Sequence, residues 1–185
     1  MKQIIPVKQG DNITLTVNGL GSSGEGVGKY EGFTVFVKGA LPEEEVRITI
    51  TLVKKSYAVG ALEKIVKASA ERVEPACPVY KECGGCQLQN LSYDEQLHLK
   101  QATAIRLLGR FGHVEEIIGM EDPYHYRNKV QAAFGVNRQG QIISGVYQSA
   151  SHRIVPVSDC MIEDTVADQI IVTIRGLLKL SLIHI

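Results

Sequence analysis

The sequence has no tryptophan, few aromatic residues and no net charge. Its 185 residues include four cysteines, and 20 basic side chains balance 20 acidic ones. Because the net charge gives no support to a polyanionic partner, any nucleic-acid surface must be local. Four cysteines without a secretory signal are too few for a disulfide scaffold, which excludes the small disulfide-rich secreted proteins.

Long apolar runs are also missing. The first residues, MKQIIPVKQGDN, hold no apolar stretch of signal-peptide length. No later run approaches the ~18 uninterrupted apolar residues that a membrane span needs. We therefore expect a cytoplasmic protein with reduced cysteines and no membrane partner, and we expect it to be a monomer.

Polar and apolar residues alternate in the first third of the chain, which predicts β-strands. Ile13, Leu15 and Val17, for example, share one face of a strand. The predicted strands cover residues 12–17, 27–30, 33–37, 46–52 and 58–66. About five strands within roughly sixty residues, joined by glycine-rich turns, favour a closed barrel of the OB type over residues 1–67.

The glycine run from Gly24 to Gly28 has two possible interpretations. Glycines let backbone amides approach a ligand closely, so the run could be a nucleotide or S-adenosylmethionine loop. Such loops join a strand to a helix, whereas a further strand from Phe33 follows here. The context favours a turn of the barrel, with no cofactor assigned to it.

Residues 68–185 predict a second domain, which makes the fold class α+β. Periodicity stops between residues 66 and 92, where prolines and glycines indicate a loop folded around metal. A capping box from Ser92 to Glu95 starts a helix that ends near Arg110. We expect its apolar face to pack under the loop. The residues of that face are Leu97, Ala104, Ile105 and Leu108.

Strands and a second helix complete the predicted domain. Alternation over residues 128–157 predicts antiparallel strands with a hairpin turn near residues 138–140. The second helix begins near Asp164 or Thr165. Its apolar stripe consists of Val166, Ile170, Ile171, Ile174, Leu177 and Leu178.

The cysteines have the spacing of a metal site. Cys77, Cys83 and Cys86 form a C-x5-C-x2-C pattern, and Cys160 follows much later. A C-x2-C pair can turn two thiolates toward one ion, and Gly84 with its neighbour keeps that turn uncrowded. Spacing alone favours an iron-sulfur cluster but leaves open zinc, disulfides or inert core cysteines.

A short aromatic and basic segment is the candidate RNA contact. Its candidate residues, together with one histidine before the last strand, are Tyr126, Arg127, Asn128, Lys129 and His152. Aromatic rings stack on bases and cations neutralise phosphate. A strand edge with solvated charges explains the same residues equally well. His98 and His113 are expected to be solvated or core side chains rather than ligands.

These residues resemble the RNA (uracil-5-)-methyltransferases in three places. Residues 21–46, GSSGEGVGKYEGFTVFVKGALPEEEV, resemble the TRAM domain, a small RNA-binding barrel. Residues 77–100 resemble the cluster motif that follows it. PYHYRNKVQAAF at 123–134 and GVYQSASHRIVPVSDC at 145–160 resemble the central β domain, which ends at the fourth cluster cysteine.

The resemblance implies a cofactor and an activity. In that family the four matching cysteines hold a [4Fe-4S] cluster, which favours the cluster over zinc. The enzymes transfer a methyl group from S-adenosylmethionine to C5 of a uridine in rRNA or tRNA, using a cysteine nucleophile in a C-terminal Rossmann-like domain. This chain stops before such a domain, and its final LSLIHI does not resemble the family. We therefore expect an N-terminal portion, with residues 68–185 an incomplete iron-sulfur domain, that binds RNA without methylating it.

Two other classes remain as alternatives. A stand-alone RNA-binding or iron-sulfur module would carry the same barrel and cysteines. A radical methylthiotransferase also has a TRAM barrel, but its barrel is C-terminal and its catalytic cluster uses three cysteines. The four cysteines and the N-terminal barrel of this chain argue against that relative.

Overall fold

The computed structural model describes residues 5–149 and 151–183, which form an α+β structure as the sequence predicts. The first five strands are β1 Asn12–Leu20, β2 Gly26–Tyr30, β3 Phe33–Val37, β4 Glu45–Val53 and β5 Tyr57–Lys67. They are followed by α1 Tyr93–Leu108, β6 Ala133–Val136, β7 Ile142–Tyr147, β8 Ile154–Pro156 and α2 Thr165–Ile183. The chain divides into two compact units, and Pro75–Cys86 belongs to the second unit although Gln87–Leu99 belongs to the first.

The first five strands form a closed barrel in the order β1-β2-β3-β5-β4, which confirms the predicted OB-type barrel. All its neighbouring strands are antiparallel except β3 and β5, which are parallel. The inward side chains of β1 and β3 are buried as predicted, whereas Leu52 near the end of β4 and Val66 near the end of β5 are exposed. The core consists mainly of Ile13, Leu15, Val17, Phe33, Val35, Val37, Val46, Ile48, Ile50 and Ala58. Burial of this apolar set is the main stabilising contribution to the barrel.

The glycine run is a turn of the barrel, as its context predicts. Gly24 has a φ of +81°, a left-handed conformation that glycine adopts without strain. Gly28 lies within β2, where a Cβ atom would come 2.5 Å from the Thr16 carbonyl oxygen. Gly24 therefore serves the turn, and Gly28 allows β1 and β2 to lie close together.

A buried ion pair ties the chain after β5 to the barrel. The Glu44 carboxylate is fully buried and accepts hydrogen bonds from Arg72 Nε at 2.6 Å and Arg72 Nη2 at 2.8 Å. The backbone N–H groups of Leu41 and Ser69 donate to the same carboxylate at 2.9 and 3.3 Å. Arg72 Nη2 also donates to the Gly39 carbonyl oxygen at 2.7 Å. Each carboxylate oxygen is thus hydrogen-bonded, as a buried charge requires.

The second unit contains an antiparallel sheet in the order β6-β7-β8. Its hairpin turn lies where predicted, and Asn137 N–H donates to the Gln141 carbonyl oxygen across it. The prediction of a strand from residue 128 was wrong, because β6 begins only at Ala133. Residues 128–132 alternate in sequence, but no strand pairing is described for them.

Both helices begin at the predicted caps. The Ser92 hydroxyl accepts a hydrogen bond from Glu95 N–H at 3.3 Å, and the Asp164 carboxylate accepts one from Val166 N–H at 2.9 Å. The start of α1 contacts the loop before it, since the Gln96 side chain donates to the carbonyl oxygens of Leu88 and Leu91 at 3.1 and 3.0 Å, but no residue of the described helix is buried. On the predicted apolar face, Leu97 and Ala104 are half-buried, and Ile105 and Leu108 are exposed.

The apolar stripe of α2 is largely exposed. Its exposed members are Val166, Ile170, Ile174, Leu177 and Leu178. The helix lies against β7 through another face, where Arg175 donates to the hydroxyls of Ser144 and Ser158 at 3.3 and 2.9 Å. The last two residues of LSLIHI lie outside the described part of the chain. Neither described helix is both long enough and apolar enough to cross a membrane.

Candidate functional site

The four cysteines lie in the same compact unit. Pro75–Cys86 packs with the unit that contains Cys160. Cys83 forms an isolated β-bridge with Gln148, just after β7. A Cβ atom on Gly84 would come 2.9 Å from the Tyr147 carbonyl oxygen, so glycine is needed where the cysteine loop meets the sheet. The local sequence thus fixes the loop beside the end of β7.

Cys160 lies in a polar and partly buried setting before α2. Its backbone N–H donates to the Asp168 carboxylate at 2.7 Å. Burial raises the pKa of its thiol, although hydrogen bonds from the backbone of Ile162 and Glu163 oppose this, and the charges of Glu163 and Asp168 raise the pKa further. This setting therefore favours the protonated thiol over the thiolate.

Cysteine thiolates are suitable ligands for a metal. In the described structure, however, the four cysteines are not placed around a common metal position. All four are half-buried and none forms a disulfide. Gly85 N–H donates to Cys83 Sγ at 3.3 Å, the kind of hydrogen bond that tunes cluster sulfurs. In residues 5–149 and 151–183, no group of three or more His, Cys, Asp or Glu side chains is placed to hold a metal ion.

The backbone of the aromatic and basic segment is held in place by hydrogen bonds, and its side chains are exposed. His125 N–H donates to the Met161 carbonyl oxygen and Arg127 N–H to that of Ile162, both at 2.9 Å. Tyr126 is 52% exposed. The side chains of Arg127, Asn128 and Lys129 are also exposed, so a ligand can reach them.

A buried acid pair lies behind this segment, and sequence reasoning missed it. Glu163 and Asp168 are both buried. Burial raises the pKa of Glu163, a hydrogen bond with Asp168 and the charge of Asp168 raise it further, and the Arg127 charge opposes these effects. The acidic run IEDTVAD beside Cys160 was the available signal, but a helix cap explains such a run equally well. The Arg127 side chain thus lies close enough to Glu163 for their charges to interact.

His152 lies in a different part of the same unit. It is exposed in the loop between β7 and β8, where its ring meets the Tyr147 ring edge-on at 6.0 Å between centroids. Its neighbour Arg153 forms a 2.5 Å ion pair with Glu82 of the cysteine loop. The histidines at positions 98 and 113 are solvated, as predicted, with 77% and 81% of their side chains exposed.

Comparison with known proteins identifies the barrel. The TRAM domain family matches residues 6–62, which cover nearly all of the five strands. The chain therefore carries a TRAM domain.

Nearly the whole chain matches relatives that contain much more sequence. An uncharacterized RNA methyltransferase of Clostridium tetani is 48% identical over 92% of this chain and 38% of its own length. One of Clostridium acetobutylicum is 44% identical over 97% of this chain and 40% of its own length. The chain is therefore homologous to RNA methyltransferases over their N-terminal part, and it spans about two fifths of the length of these curated relatives.

A solved structure shares the fold. The tRNA (uracil-54, C5)-methyltransferase of Pyrococcus abyssi, in complex with S-adenosyl-L-homocysteine, matches 91% of this chain and 37% of its own chain with a TM-score of 0.61. At 23% sequence identity, this match shows that the arrangement of strands and helices is alike. The strands and helices of the described residues do not include a Rossmann-like methyltransferase domain.

Proposed function

We propose that this chain is the N-terminal portion of an S-adenosylmethionine-dependent RNA (uracil-5-)-methyltransferase that acts on rRNA or tRNA. Homology to RNA methyltransferases over nearly the whole chain is the observation that carries the proposal. S-adenosylmethionine, bound by the remainder of the longer protein, supplies the methyl group. The residues described here bind RNA, and the 185-residue chain alone transfers no methyl group.

The segment from Tyr126 to Lys129 is the proposed RNA contact in the second unit, with His152 as a further candidate. Three observations support the segment: an exposed ring, exposed cations, and a backbone held by hydrogen bonds to residues 161 and 162. Because the backbone is already held in place, less conformational entropy is lost when these side chains become ordered on RNA. Tyr126 can stack on an unpaired base, while Lys129 neutralises a phosphate.

Lys129→Ala is expected to weaken RNA binding about equally for all sequences and to lower the salt slope by roughly 0.7 to 0.9. Tyr126→Ala should instead cost on the order of 1 to 3 kcal/mol with little change in salt slope if a base stacks there. Both are measured by titrating structured RNA at several salt concentrations.

Arg138→Ala is the matched control, because Arg138 is an exposed cation in the β6–β7 turn of the same unit. It should leave the salt slope near that of the parent. If Lys129→Ala and Arg127→Ala bind RNA as the parent does at every salt concentration, the segment is a solvated surface and contacts no RNA.

The proposed ligands of a [4Fe-4S] cluster are Cys77, Cys83, Cys86 and Cys160. The family resemblance and the donor chemistry of four free, half-buried cysteines support this assignment. With four thiolates every iron would be protein-bound, so the cluster would serve structure or redox sensing rather than substrate binding.

Anaerobic preparation is expected to yield about four iron and four sulfide per chain. Cys160→Ser should lose most of both, because it removes the ligand that ties the loop to the region before α2. Iron, zinc and sulfide analysis of both proteins measures this. Stoichiometric zinc without sulfide in the parent would contradict the assignment.

A further inference from the structure

Arg175 of α2 is a half-buried cation whose hydrogen-bond partners are neutral. Its Nη1 donates to the Ser144 hydroxyl at 3.3 Å, and its Nη2 donates to the Ser158 hydroxyl at 2.9 Å. Ser144 is fully buried in β7, whereas Ser158 is exposed in the chain after β8. Among the side chains that the structure describes, no acid pairs with Arg175, and these include the exposed Asp159 beside Ser158. A guanidinium partly withdrawn from water and held only by hydroxyls is stabilised when an anion binds it.

The two serines fix the guanidinium but leave part of its donor capacity unused. A guanidinium carries five N–H donors, and the serines accept two hydrogen bonds from it. Because the Ser158 oxygen accepts from Arg175, its own O–H hydrogen is available to a different acceptor. No such acceptor is found in the described part of the chain. The remaining guanidinium donors and the Ser158 hydroxyl can therefore donate to one ligand that carries several acceptor oxygens.

A second cation lies one turn farther along α2. Lys179 is four residues after Arg175, so the two side chains share one face of the helix, with Cβ atoms about 5 to 6 Å apart. Lys179 is exposed and, within residues 5–149 and 151–183, forms no ion pair. The single acid of this helix, Asp168, lies seven residues before Arg175 and accepts a hydrogen bond from Cys160 N–H. The second half of α2 is therefore cationic although the whole chain is neutral.

We propose that Ser158, Arg175 and Lys179, called the Arg175 site, bind a phosphate group. A carboxylate would match the charge as well, but a phosphate has more acceptor oxygens. It can therefore accept from the guanidinium, the ammonium and the hydroxyl together. Free phosphate and the phosphate of an RNA backbone offer the same kind of oxygen. None of the three residues belongs to the proposed RNA contact at residues 126–129, so the inference does not rest on that contact.

The test uses the complete chain and inorganic phosphate, added at constant ionic strength. The NMR signals of the Arg175 side-chain N–H groups should shift and reach saturation. Arg175→Gln should weaken phosphate binding about 10- to 150-fold, because charge-assisted hydrogen bonds are lost. Lys179→Ala removes an exposed charge and should weaken it about 1.5- to 5-fold. Lys100→Ala is the matched control, because Lys100 is an exposed lysine of α1, and it should bind phosphate as the parent does.

Thermal unfolding and circular dichroism check that each variant is folded. Arg175 also ties α2 to β7, so Arg175→Gln is the variant most exposed to misfolding. Lys179→Ala and Ser158→Ala change exposed side chains and keep the test decisive if Arg175→Gln does not fold. Both should weaken phosphate binding while the melting temperature stays close to that of the parent.

Structured RNA identifies the source of the phosphate. If RNA supplies it, inorganic phosphate competes with RNA, and Lys179→Ala lowers the salt slope of RNA binding by roughly 0.7 to 0.9. If free phosphate is the ligand, Lys179→Ala binds RNA as the parent does and still loses affinity for inorganic phosphate.

Two results would overturn the inference. One is a parent chain that shows no saturable phosphate shift together with variants that bind RNA unchanged, which would leave Arg175 a structural link between α2 and β7. The other is acetate binding as tightly as phosphate, which would identify a carboxylate site. Neither result affects the proposed RNA contact, which is tested separately by Lys129→Ala.

Discussion

Glu44→Ala is expected to lower the free energy of unfolding of the barrel by about 3 kcal/mol. The substitution leaves the Arg72 guanidinium without the carboxylate that accepts two of its hydrogen bonds. Two backbone donors, on Leu41 and Ser69, lose their acceptor as well. The value lies at the lower end of the range for breaking a buried ion pair, because the Arg72 side chain is 23% exposed and keeps some contact with water.

Denaturant unfolding at neutral pH measures this loss. Glu63→Ala is the matched control, because it removes the same charge from an exposed position on β5 and should change stability by less than about 0.5 kcal/mol. Arg72→Ala and the double variant complete a double-mutant cycle, in which the pair should show clear coupling. Equal stability of Glu44→Ala and Glu63→Ala would contradict the structural role of the buried pair.

The same ion pair predicts a pH dependence. Burial alone raises the pKa of Glu44, but the Arg72 hydrogen bonds, the backbone donors and the Arg72 charge outweigh it, so the net pKa lies below the ordinary value. A lowered pKa in the folded state means that the unfolded chain binds the proton more readily. The stabilisation is therefore present above the ordinary glutamate pKa of about 4.3 and is lost as the pH falls through the lower pKa of the folded state. The stability difference between the parent and Glu44→Gln should shrink across this acidic window.

The barrel could be predicted from sequence because each of its strands has one buried and one solvated face. Period-two alternation therefore indicates which side chains are buried. The inward side chains of β1 and β3 are those that the alternation indicated, whereas in β4 Leu52 is exposed. The burial of Glu44 and its ion pair could not be predicted in the same way. Glu44 is the middle of three consecutive glutamates, which resemble a solvated charge run, and its partner Arg72 lies in the loop after β5.

The second unit was harder to predict because its elements depend on distant partners. Residues 128–132 alternate in sequence but have no neighbouring strand to pair with among the described residues, so they do not form a strand. The aromatic and basic segment was found by residue type, but its fixed position comes from hydrogen bonds to residues 161 and 162, which periodicity does not report. The link between Cys83 and Gln148 is likewise a long-range pairing.

Gly145→Ala is expected to destabilise the β6-β7-β8 sheet by at least about 3 kcal/mol, the upper end of the range for overpacking. Gly145 lies in the central strand, opposite Ala133 on one side and Pro156 on the other. An added Cβ atom would overlap the Val155 carbonyl oxygen and lie 2.9 Å from Val157 N. Because these are backbone atoms, no side-chain rotation relieves the contact, and β8 must move away from β7.

Hydrogen exchange measures which strands are destabilised by this substitution. In Gly145→Ala, amides of residues 142–147 and of Ile154 and Val155 should lose protection, whereas those of the barrel, which belongs to the other compact unit, should keep it. Gly176→Ala is the matched control, because an added Cβ atom there meets nothing within 4 Å. Since Gly176 lies within α2, its replacement should stabilise the helix by about 0.5 to 1 kcal/mol. Protection of β8 equal to that of the parent would show that the strand can yield locally without leaving the sheet.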